Sequence, residues 1–381
     1  MRHRVVIIGL GDTGLLSAVR LVDDAEVIAI SPTNGMVSGQ DMGFRIARPK
    51  AWASTAVIPF SRYENLDKVR IIHGRAARVE ADVRTVVVEH ADGEREAVPY
   101  DALLIASGTR SGFWRSPEVQ QLSSVESQLL ATADRFRQAA SVAIIGGGPS
   151  GVSAASQLKR AHPQMQVALY FSRDQVLPGY HPGTRTDVQR RLEADGVELY
   201  PRHRANVPND VGDGLTTTAV SWQGGQPETH AELVLWTIRH RTSNTNFMPP
   251  LLLDDEGYVR VDATLQIPGE TGIFAVGDVA STDPNRSSAR NEGHEVVSHN
   301  IRCFLQSKPH AMKPMTSLPI YRWGSVFGPQ KEGLRVYFAN GWALTFWPWL
   351  TEWLLFRLIV GKILFRGIRD FNPSYFRSFK P

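Results

Sequence analysis

The sequence predicts an α/β protein built from two similar units with parallel sheets, the second unit inserted into the first. Three observations point to this fold. A short apolar strand, a glycine-rich turn and a helical pattern follow one another twice along the chain. Each copy is followed, at a similar distance, by another buried strand. A further apolar strand, late in the chain, returns to complete the first unit.

The repeated turn has the same glycine spacing, G-x-G-x-x-G, at residues 9–14 and 146–151. We name these the first and the second glycine motif. In this spacing the first glycine allows a tight turn, the second lets the backbone approach a pyrophosphate, and the third lets helix and strand pack closely. The helix that follows offers free N–H groups and a positive dipole end to phosphates. The motifs therefore predict two Rossmann-like, dinucleotide-binding units.

The remaining elements are predicted from apolar runs bounded by turn residues. In the first unit they are a second strand, an irregular polar stretch, three strands of a small β-meander and a closing strand, at 26–30, 31–59, 69–73, 77–81, 85–90 and 100–109. In the second unit they are a second strand, two meander strands and a closing strand, at 166–171, 196–200, 215–222 and 232–237.

The chain then returns with an apolar strand that delivers Gly277 and Asp278 at its C-terminal end, where ligands bind in open α/β sheets. A helix is predicted after it, at about 288–305. The predicted division is a split first domain, an inserted second domain and a C-terminal segment, at 1–112 with 253–305, 113–252 and 306–381.

The two glycine motifs, the Ala-Ser-Gly-Thr strand end at 106–109 and the Thr-Gly-Ile-Phe-Ala-Val-Gly-Asp segment at 271–278 resemble one superfamily. It is the pyridine nucleotide-disulfide oxidoreductases, flavoproteins with two dinucleotide-binding domains. Cys303 is the only cysteine, so the chain lacks the redox pair of the disulfide reductases and has no cysteine-rich metal site. The chain is most similar to the branch with type II NADH dehydrogenases, apoptosis-inducing-factor-like reductases and ferroptosis suppressor protein.

This resemblance, which covers residues 4–305, implies that the split domain binds FAD and the inserted domain binds NADH or NADPH. Hydride would pass from the nicotinamide to the flavin, and two electrons would then pass to a quinone. The residues implied for FAD are Gly9, Gly11, Asp12, Thr13, Gly14, Ser31, Ala106, Ser107, Gly108, Gly277, Asp278 and Ala289. Those implied for NAD(P)H are Gly146, Gly148, Pro149, Ser150 and Gly151, and Arg173 and Arg239, which depart from the family pattern, are added as candidate phosphate contacts. No residue pattern identifies a catalytic acid or base.

Both units lack the acidic residue that bonds the ribose hydroxyls in this family. Ser31 stands there in the first unit, where Ser31 or Asn34 can substitute for it. In the second unit Arg173 follows the strand instead. Loss of the carboxylate removes repulsion against a 2′-phosphate, and an arginine can pair with that phosphate. This favours NADPH, or no preference, over strict use of NADH.

Three further positions depart from the family pattern. Ser153 stands where the resemblance places a glutamate near the nicotinamide, and Arg239 stands where it places a glycine. An arginine at that point either obstructs the nucleotide or contacts a phosphate. Asp12 is an unusual neighbour for a pyrophosphate. Most departures concern the nicotinamide half, so a second hypothesis is a flavin-binding protein with a degenerate nicotinamide site that acts through protein partners.

The C-terminal segment carries a disproportionate share of the tryptophans, namely Trp342, Trp347, Trp349 and Trp353. Such amphipathic rings favour the membrane interface. Lys362, Arg366 and Arg369 are spaced i, i+4 and i+7, so a helix places them on one face, opposite Leu, Ile and Phe. We therefore predict an amphipathic helix that lies in the headgroup region with its cations on lipid phosphates.

Two alternatives for this segment stay open. The same apolar face could form a protein interface, either of a homodimer or with a soluble electron-carrier protein. A transmembrane span would have to accommodate Pro348, Glu352 and Arg357, at a cost of about 2.5 kcal/mol or more for each central charge.

The whole-chain composition bounds the partners and the location. The 381 residues carry a net charge of +4, and no run of Lys and Arg resembles a nucleic-acid-binding patch. The N-terminus shows no small-residue cleavage site, so we expect no signal peptide. We therefore expect a cytoplasmic protein, bound peripherally to the inner face of the cell membrane, that acts on a small-molecule acceptor.

Overall fold

The computed structural model describes residues 2–110, 118–208, 211, 214–238, 242–282, 289–316, 320–373 and 375–379, with the backbone alone for 289–291. Its strands are β1 Arg4–Ile8, β2 Glu26–Ser31, β3 Gly35–Val37, β4 Val57–Pro59, β5 Arg70–Glu80, β6 Thr85–His90, β7 Arg95–Pro99, β8 Ala102–Ile105, β9 Thr109–Arg110, β10 Ser141–Ile145, β11 Gln166–Tyr170, β12 Glu198–Tyr200, β13 Leu215–Thr216, β14 Leu233–Trp236, β15 Thr242–Ser243, β16 Val259–Arg260, β17 Ile273–Ala275, β18 Ala280–Ser281, β19 Pro329–Gln330, β20 Gly333–Tyr337 and β21 Ala343–Phe346.

The helices connect and cover these strands. The α-helices are α1 Asp12–Leu21, α2 Met42–Ala47, α3 Pro49–Ala56, α4 Leu122–Gln138, α5 Pro149–Ala161, α6 Pro182–Asp195, α7 Ala289–Leu305 and α8 Pro348–Leu350. A π-helix follows at Thr351–Leu364. Short 3₁₀ turns lie at Phe60–Arg62, Glu64–Lys68, Pro250–Leu252, Gly277–Val279, Pro309–Ala311 and Tyr375–Phe379.

The first unit is a seven-stranded sheet in the order β17-β8-β1-β2-β5-β6-β7. Strands β17, β8, β1, β2 and β5 are parallel, and β6 and β7 extend the sheet as an antiparallel meander. Because β17 lies beyond the second unit in the chain yet pairs with β8, the second unit is inserted into the first. The predicted fold class is confirmed.

The strands of this sheet are apolar throughout because both of their faces are covered. Along β1, Val5 and Ile7 pack into the core on one face, while Val6 and Ile8 pack into the core on the other. Each of these four side chains is at most 3% exposed. Such continuous burial is typical of parallel strands between two helical or loop layers.

The second unit repeats this arrangement in a five-stranded sheet of order β12-β11-β10-β14-β13. One expectation was wrong here. The strand predicted at 196–200 belongs to no meander, since β12 pairs parallel with β11. The strand predicted at 215–222 shrinks to β13, after which only isolated bridges such as Val220 with Thr229 continue the pairing. Apolar alternation marks a strand but does not say which neighbour it joins.

The first meander also differs in detail. The two strands predicted at 69–73 and 77–81 are one continuous strand, β5, which passes from the parallel sheet into the meander. Its register with β6 shifts between Ala76 and Arg78, which marks a β-bulge. A bulge bends a strand without ending it. In the sequence, the polar residues around it therefore resemble the end of one strand and the start of another.

The C-terminal segment is more than the predicted helix. Strands β19, β20 and β21 form a three-stranded antiparallel sheet, and the apolar run that starts at Trp342 is strand β21 rather than helix. The helical part begins only at Pro348. Among the residues that the structure describes, no helix is both long and apolar enough to cross a membrane.

We predicted that Lys362, Arg366 and Arg369 share one helical face, and this was wrong for both arginines. The π-helix ends at Leu364, and Arg366 then adopts a positive φ of 55°. Arg366 donates to the carbonyl of Val19 at 3.1 Å, and Arg369 pairs with the carboxylate of Asp67. Both arginines thus bind the first unit. Lys362 alone of the three remains on an exposed helical position.

The C-terminal segment also binds the second unit. The side chain of Gln157, on α5 and 1% exposed, donates to the carbonyls of Phe327 at 2.9 Å and Pro329 at 2.6 Å. On α6, the carboxylate of Asp187 accepts from the Tyr337 hydroxyl at 2.8 Å. Burial alone would raise the pKa of Asp187, but hydrogen bonds from Arg190 and Tyr337 outweigh it and hold that pKa well below its usual value. The C-terminal segment is therefore hydrogen-bonded to both units.

Candidate functional site

The first glycine motif forms an open cradle at the end of β1. Gly9 has a positive φ of 98°, and its N–H donates to the Ile30 carbonyl at 2.8 Å. A Cβ on Gly14 would lie 1.9 Å from the Gly9 carbonyl oxygen, so this position requires glycine. A Cβ on Gly11 would meet no atom within 4 Å. The space over the N-terminus of α1 is therefore open, as a pyrophosphate needs.

Residues from three other segments border this cradle. The Ala106 carbonyl and Ser107 lie against Gly9, where a Cβ would come within 2.6 Å of the former. Gly277, with a φ of 83°, approaches the Thr13 hydroxyl so closely that its Cβ would lie 3.1 Å away. Asp278 follows in the same 3₁₀ turn. The structure thus brings together the predicted residues at the ends of β1, β8 and β17.

Ser31, at the end of β2, is 2% exposed and follows directly on the carbonyl that holds Gly9. Its hydroxyl accepts from the Thr33 N–H at 3.3 Å, so part of its hydrogen-bonding capacity serves the turn. The Asn34 side-chain oxygen accepts from the Leu122 N–H at 2.9 Å, at the start of α4. Asn34 is therefore engaged with the second unit, and Ser31 is the better placed of the two residues to face a ribose.

The second glycine motif reproduces the first cradle. Gly146 has a φ of 124°, and its N–H donates to the Tyr170 carbonyl at 2.8 Å. A Cβ on Gly151 would lie 1.9 Å from the Gly146 carbonyl oxygen, whereas one on Gly148 would meet nothing within 4 Å. Pro149 and Ser150 open α5. Because these distances match those of the first motif, the chain has two glycine cradles of one geometry.

The matching family model is the pyridine nucleotide-disulphide oxidoreductases, over residues 3–299. The chain belongs to this family. It is therefore an oxidoreductase, and its cofactors are FAD and NAD(P)H. Both cradles fit such dinucleotides, since in each the second glycine leaves a helix N-terminus open. When bound there, the two cofactors supply the electron-transfer chemistry that the side chains themselves lack.

The oxidoreductase is similar to several known proteins. It is 27% identical to oxidoreductase ptaL of Pestalotiopsis fici over 74% of this chain and 78% of that protein. It is 22% identical to ferroptosis suppressor protein 1 of Xenopus tropicalis, over 80% and 82%. It is 24% identical to demethylphylloquinone reductase NdbB of a Synechocystis strain, over 73% and 72%.

Among solved structures, reduced CoADR-RHD of Bacillus anthracis superposes with a TM-score of 0.65 at 16% identity. The match covers 88% of this chain and 61% of that one, so the oxidoreductase spans about three fifths of the length of this neighbour. At this identity the likeness concerns the fold alone. It agrees with the two-unit architecture described above.

A cleft of about 350 Å³ is lined by residues that follow β11. The same stretch of chain contacts the second glycine motif, since the Leu177 N–H donates to the Gly147 carbonyl at 2.7 Å. Arg173 lines the cleft, as the sequence predicted, and so does Arg185 from the first turn of α6. The Arg185 Nε is buried and has no hydrogen-bond partner among the described residues. Asp174 also lines the cleft, but Arg202 pairs with its carboxylate at 2.6 Å. Arg185 is a further candidate residue that sequence reasoning missed, because only the fold brings the start of α6 to the cleft that Arg173 lines.

For three of the predicted site residues the structure places no side chain at a cradle. Arg239 lies outside the described residues, so its obstructing and phosphate-binding alternatives both stay predictions. Ala289 begins α7, as expected of the predicted helix, but the structure describes only its backbone. Asp12 is the first residue of α1, and its carboxylate accepts from the Gly39 N–H at 3.3 Å. The side chain therefore reaches the connection between β3 and α2, and only its backbone belongs to the cradle.

Ser153 has a packing role that its place in the family pattern, where a glutamate is expected, does not suggest. It is 4% exposed on α5, beneath α2. A Cβ on Gly43 would lie 2.2 Å from the Ser153 carbonyl oxygen and 2.6 Å from its hydroxyl. The two helices therefore touch through small residues, and a glutamate side chain has no room here. The unusual serine is explained by the close approach of the two units.

The C-terminal segment carries several exposed aromatic rings. Trp342, Trp347, Trp349 and Trp353 are each more than half exposed, and we name these four residues the tail surface. Two of them, Trp347 and Trp349, lie with their ring centroids 6.4 Å apart. Exposed apolar clusters of this kind mark interaction sites with proteins or membranes.

Proposed function

We propose that this oxidoreductase uses FAD to pass electrons from NAD(P)H to a quinone at a membrane surface. The observation that carries the proposal is the pair of matching open cradles in one chain, beside a C-terminal segment with exposed tryptophans. One of the relatives supports the acceptor, since it is named a demethylphylloquinone reductase.

The first cradle would hold FAD, with the α1 N-terminus on the pyrophosphate and Ser31 toward the ribose. Thr13, Gly277 and Asp278 would border the same cofactor. The second cradle would hold NAD(P)H on the α5 N-terminus. We accordingly assign 1–112 with 253–305 to FAD binding, 113–252 to NAD(P)H binding and 306–381 to membrane contact.

The overall reaction would be NADPH + H⁺ + quinone → NADP⁺ + hydroquinone, with NADH as the alternative donor. FAD held at the first cradle, by Gly11 and the N-terminus of α1, would supply two-electron transfer between the nicotinamide and the quinone. The chain would bind and orient the reactants, since helix N-termini and backbone amides are its contribution to both cradles. We assign the protein to the inner face of the cell membrane as a peripheral protein.

We expect Arg173 and Arg185 to make the second site prefer NADPH. Both arginines border the cleft where a 2′-phosphate would lie beyond the second cradle. A charge-assisted hydrogen bond contributes about 1.5–3 kcal/mol, which is roughly ten- to a hundredfold in affinity. Arg173→Ala and Arg185→Ala should each lower NADP⁺ affinity by roughly tenfold or more by this measure and leave NAD⁺ affinity unchanged. Equilibrium titration with the two oxidised nucleotides measures this.

The matched control is Arg137→Ala, which removes an exposed arginine from α4 of the same unit. It should change neither affinity. Equal weakening of NADP⁺ and NAD⁺ in the Arg185 variant would mean that this side chain supports the fold and does not read the phosphate. A wild-type protein that binds NAD⁺ more tightly than NADP⁺ would contradict the preference itself.

We expect membrane binding to depend on the tail surface. Fully burying one large apolar side chain contributes about 1.5–3 kcal/mol, so the double variant Trp347→Ser/Trp349→Ser should lower vesicle binding by roughly a hundredfold. Co-sedimentation with vesicles of phosphatidylcholine and phosphatidylglycerol measures the bound fraction. The same vesicles, loaded with a long-chain quinone, show whether the rate of quinone reduction falls together with vesicle binding.

The control for this experiment is Leu251→Ser, which removes an 82% exposed leucine outside the C-terminal segment. It should bind vesicles as the wild type does. If the double tryptophan variant still sediments with vesicles, the tail surface is not the membrane contact. Concentration-dependent dimerisation that the double variant loses would assign the surface to a homodimer instead.

A further inference from the structure

The connection between β11 and α6, residues 171–181, lies between the nucleotide cleft of the second unit and the C-terminal segment. Pro178 of this connection lines the cleft, together with Arg185 of α6. The next residue, Gly179, accepts at its carbonyl from the Arg322 N–H at 3.0 Å. Arg322 belongs to the C-terminal segment. That segment therefore contacts the stretch of chain that forms part of the cleft wall.

His181 ends this connection and is the N-cap residue of α6. Its Nδ1 accepts from the Gly183 N–H at 3.1 Å. This hydrogen bond satisfies one of the N–H groups that have no intrahelical partner at the start of a helix. The His181 carbonyl also accepts from the Arg185 N–H at 3.1 Å. His181 therefore fixes the first turn of α6, including the backbone of Arg185, by two hydrogen bonds.

The C-terminal segment holds the His181 side chain in this position. The turn between β20 and β21 brings Gly341 so close to the imidazole that a Cβ on Gly341 would lie 2.2 Å from Nδ1. Gly341 has a φ of 88°, which favours glycine, and its N–H donates to the Phe338 carbonyl at 2.9 Å. The Tyr321 ring meets the imidazole edge to face, with centroids 5.2 Å apart. Two parts of the C-terminal segment thus confine the side chain that caps α6.

Arg185 is a side chain whose contribution depends on how its backbone is held. It lies in the first turn of α6, beside the positive end of the helix dipole, and that turn contains no acidic residue. In the part of the chain that the structure describes, its buried Nε has no hydrogen-bond partner. A flexible side chain loses conformational freedom when it binds a ligand, and less is lost when its neighbours already restrict it. The affinity of an arginine–phosphate pair is therefore sensitive to the cap of α6.

We propose that the C-terminal segment positions the nucleotide cleft and that His181 is the positioning residue for Arg185. The proposal rests on the proposed function, in which Arg185 binds the 2′-phosphate of NADPH. The turn at Gly341 holds the imidazole, the imidazole caps α6, and the capped first turn presents Arg185 to the cleft. Trp342, which directly follows Gly341, belongs to the tail surface. The segment that carries the proposed membrane contact thus also contributes to nucleotide specificity.

Titration of the flavin-loaded protein with NADP⁺ and with NAD⁺ tests this role. Removing an N-cap side chain changes the equilibrium of a helix start by roughly two- to thirtyfold. His181→Ala should therefore lower NADP⁺ affinity by roughly fivefold and leave NAD⁺ affinity unchanged. His181→Asn should restore NADP⁺ affinity, because asparagine is among the best N-cap residues. In protein that already carries Arg185→Ala, the His181→Ala change should have no further effect.

Gly341→Ala tests the contact from the C-terminal segment. The added Cβ displaces the imidazole and should lower NADP⁺ affinity as His181→Ala does. The double variant His181→Ala/Gly341→Ala should lose no more affinity than either single variant, because the Cβ then has no ring to displace. The matched control is Gly225→Ala, in the second unit, where φ is also positive, at 75°, and a Cβ meets no atom within 4 Å. It should bind both nucleotides as the wild type does.

Three results would overturn the proposal. They are equal loss of NADP⁺ and NAD⁺ affinity in His181→Ala, no recovery in His181→Asn, and additive losses in the double variant. Thermal melting of each variant shows whether the fold is retained. If His181→Ala does not fold, His181→Asn and Gly341→Ala, compared with Gly225→Ala, still decide whether the cap and the turn set NADP⁺ affinity.

Because the titrations use oxidised nucleotides and no electron acceptor, they separate this inference from the proposed function. If NADP⁺ binding depends on His181 and Gly341 but the wild type reduces no quinone with NADPH, the proposed electron transfer fails and the positioning role stands. If the wild type reduces quinones while both variants bind NADP⁺ as it does, the positioning role fails and the proposed function stands. Unchanged NADP⁺ affinity in Arg185→Ala would contradict both the NADPH preference and the positioning role.

Discussion

Replacing Gly11 with valine should give a folded protein without flavin. Gly11 has a φ of −73°, which any residue adopts, and a Cβ there meets no protein atom within 4 Å. The fold should therefore accept the side chain. The valine would instead occupy the space in which the α1 N-terminus meets a pyrophosphate. Losing two charge-assisted hydrogen bonds, at about 1.5–3 kcal/mol each, lowers affinity more than roughly a hundredfold.

The flavin-to-protein ratio, taken from the visible flavin band, measures this loss, and circular dichroism with thermal melting shows whether the variant folds. Gly14→Val is the instructive contrast, because its Cβ would collide with the Gly9 carbonyl oxygen at 1.9 Å. That variant should lose its fold, and not merely its flavin. A folded Gly11→Val protein with a full flavin complement would show that the first glycine motif is not the FAD site.

Much of the fold could be predicted because its signals are local. A glycine motif between an apolar strand and a helix records, within about ten residues, how the backbone must turn. Gly9 and Gly146 accordingly take the positive φ that this turn requires. The returning strand was also predictable, since β17 leads into the Gly-Asp pair at 277–278, at the C-terminal ends of the strands, where ligands bind in open α/β sheets. These elements depend on neighbours in sequence.

The C-terminal segment was less predictable because its partners are distant. An apolar run such as the one from Trp342 fits a strand or a helix equally well until its neighbours are known. Here β20 supplies that neighbour, and the run becomes β21. The spacing of Arg366 and Arg369 suggested lipid contacts, but Asp67, about three hundred residues earlier, pairs with Arg369. Local periodicity cannot report such contacts.

In the candidate site, too, some residues have a local sequence signal and others do not. Its glycines follow from the motif, whereas Arg185 and Gln157 have no local signal. Arg185 reaches the cleft because the start of α6 lies near the residues that follow β11, and Gln157 is buried because the C-terminal sheet covers α5. The cavity of about 110 Å³ that Asp12, Met36 and Val360 line also needs three separate segments to meet. Sequence reasoning could single out Asp12 as unusual but could not show which space its side chain enters.

Replacing Gly148 with valine should give the complementary phenotype, a protein that keeps its flavin but is no longer reduced by NAD(P)H. Gly148 matches Gly11 in geometry, with a φ of −79° and no atom within 4 Å of its Cβ position. The valine should therefore spare the fold and the first cradle while blocking the second. By the same hydrogen-bond energies, nucleotide affinity should fall more than roughly a hundredfold.

Anaerobic stopped-flow mixing, which follows loss of the visible flavin band with NADPH and then with NADH, measures this effect. Rapid loss in the wild type and none in Gly148→Val, with dithionite still bleaching both, would establish the second glycine motif as the electron entry site. The ratio of the two wild-type rates would then test the arginine argument independently. If neither nucleotide bleaches the wild-type flavin, the second cradle binds no productive donor, whatever its geometry. The protein would then act as a flavin-binding partner of other proteins, and the tail surface would be its docking site.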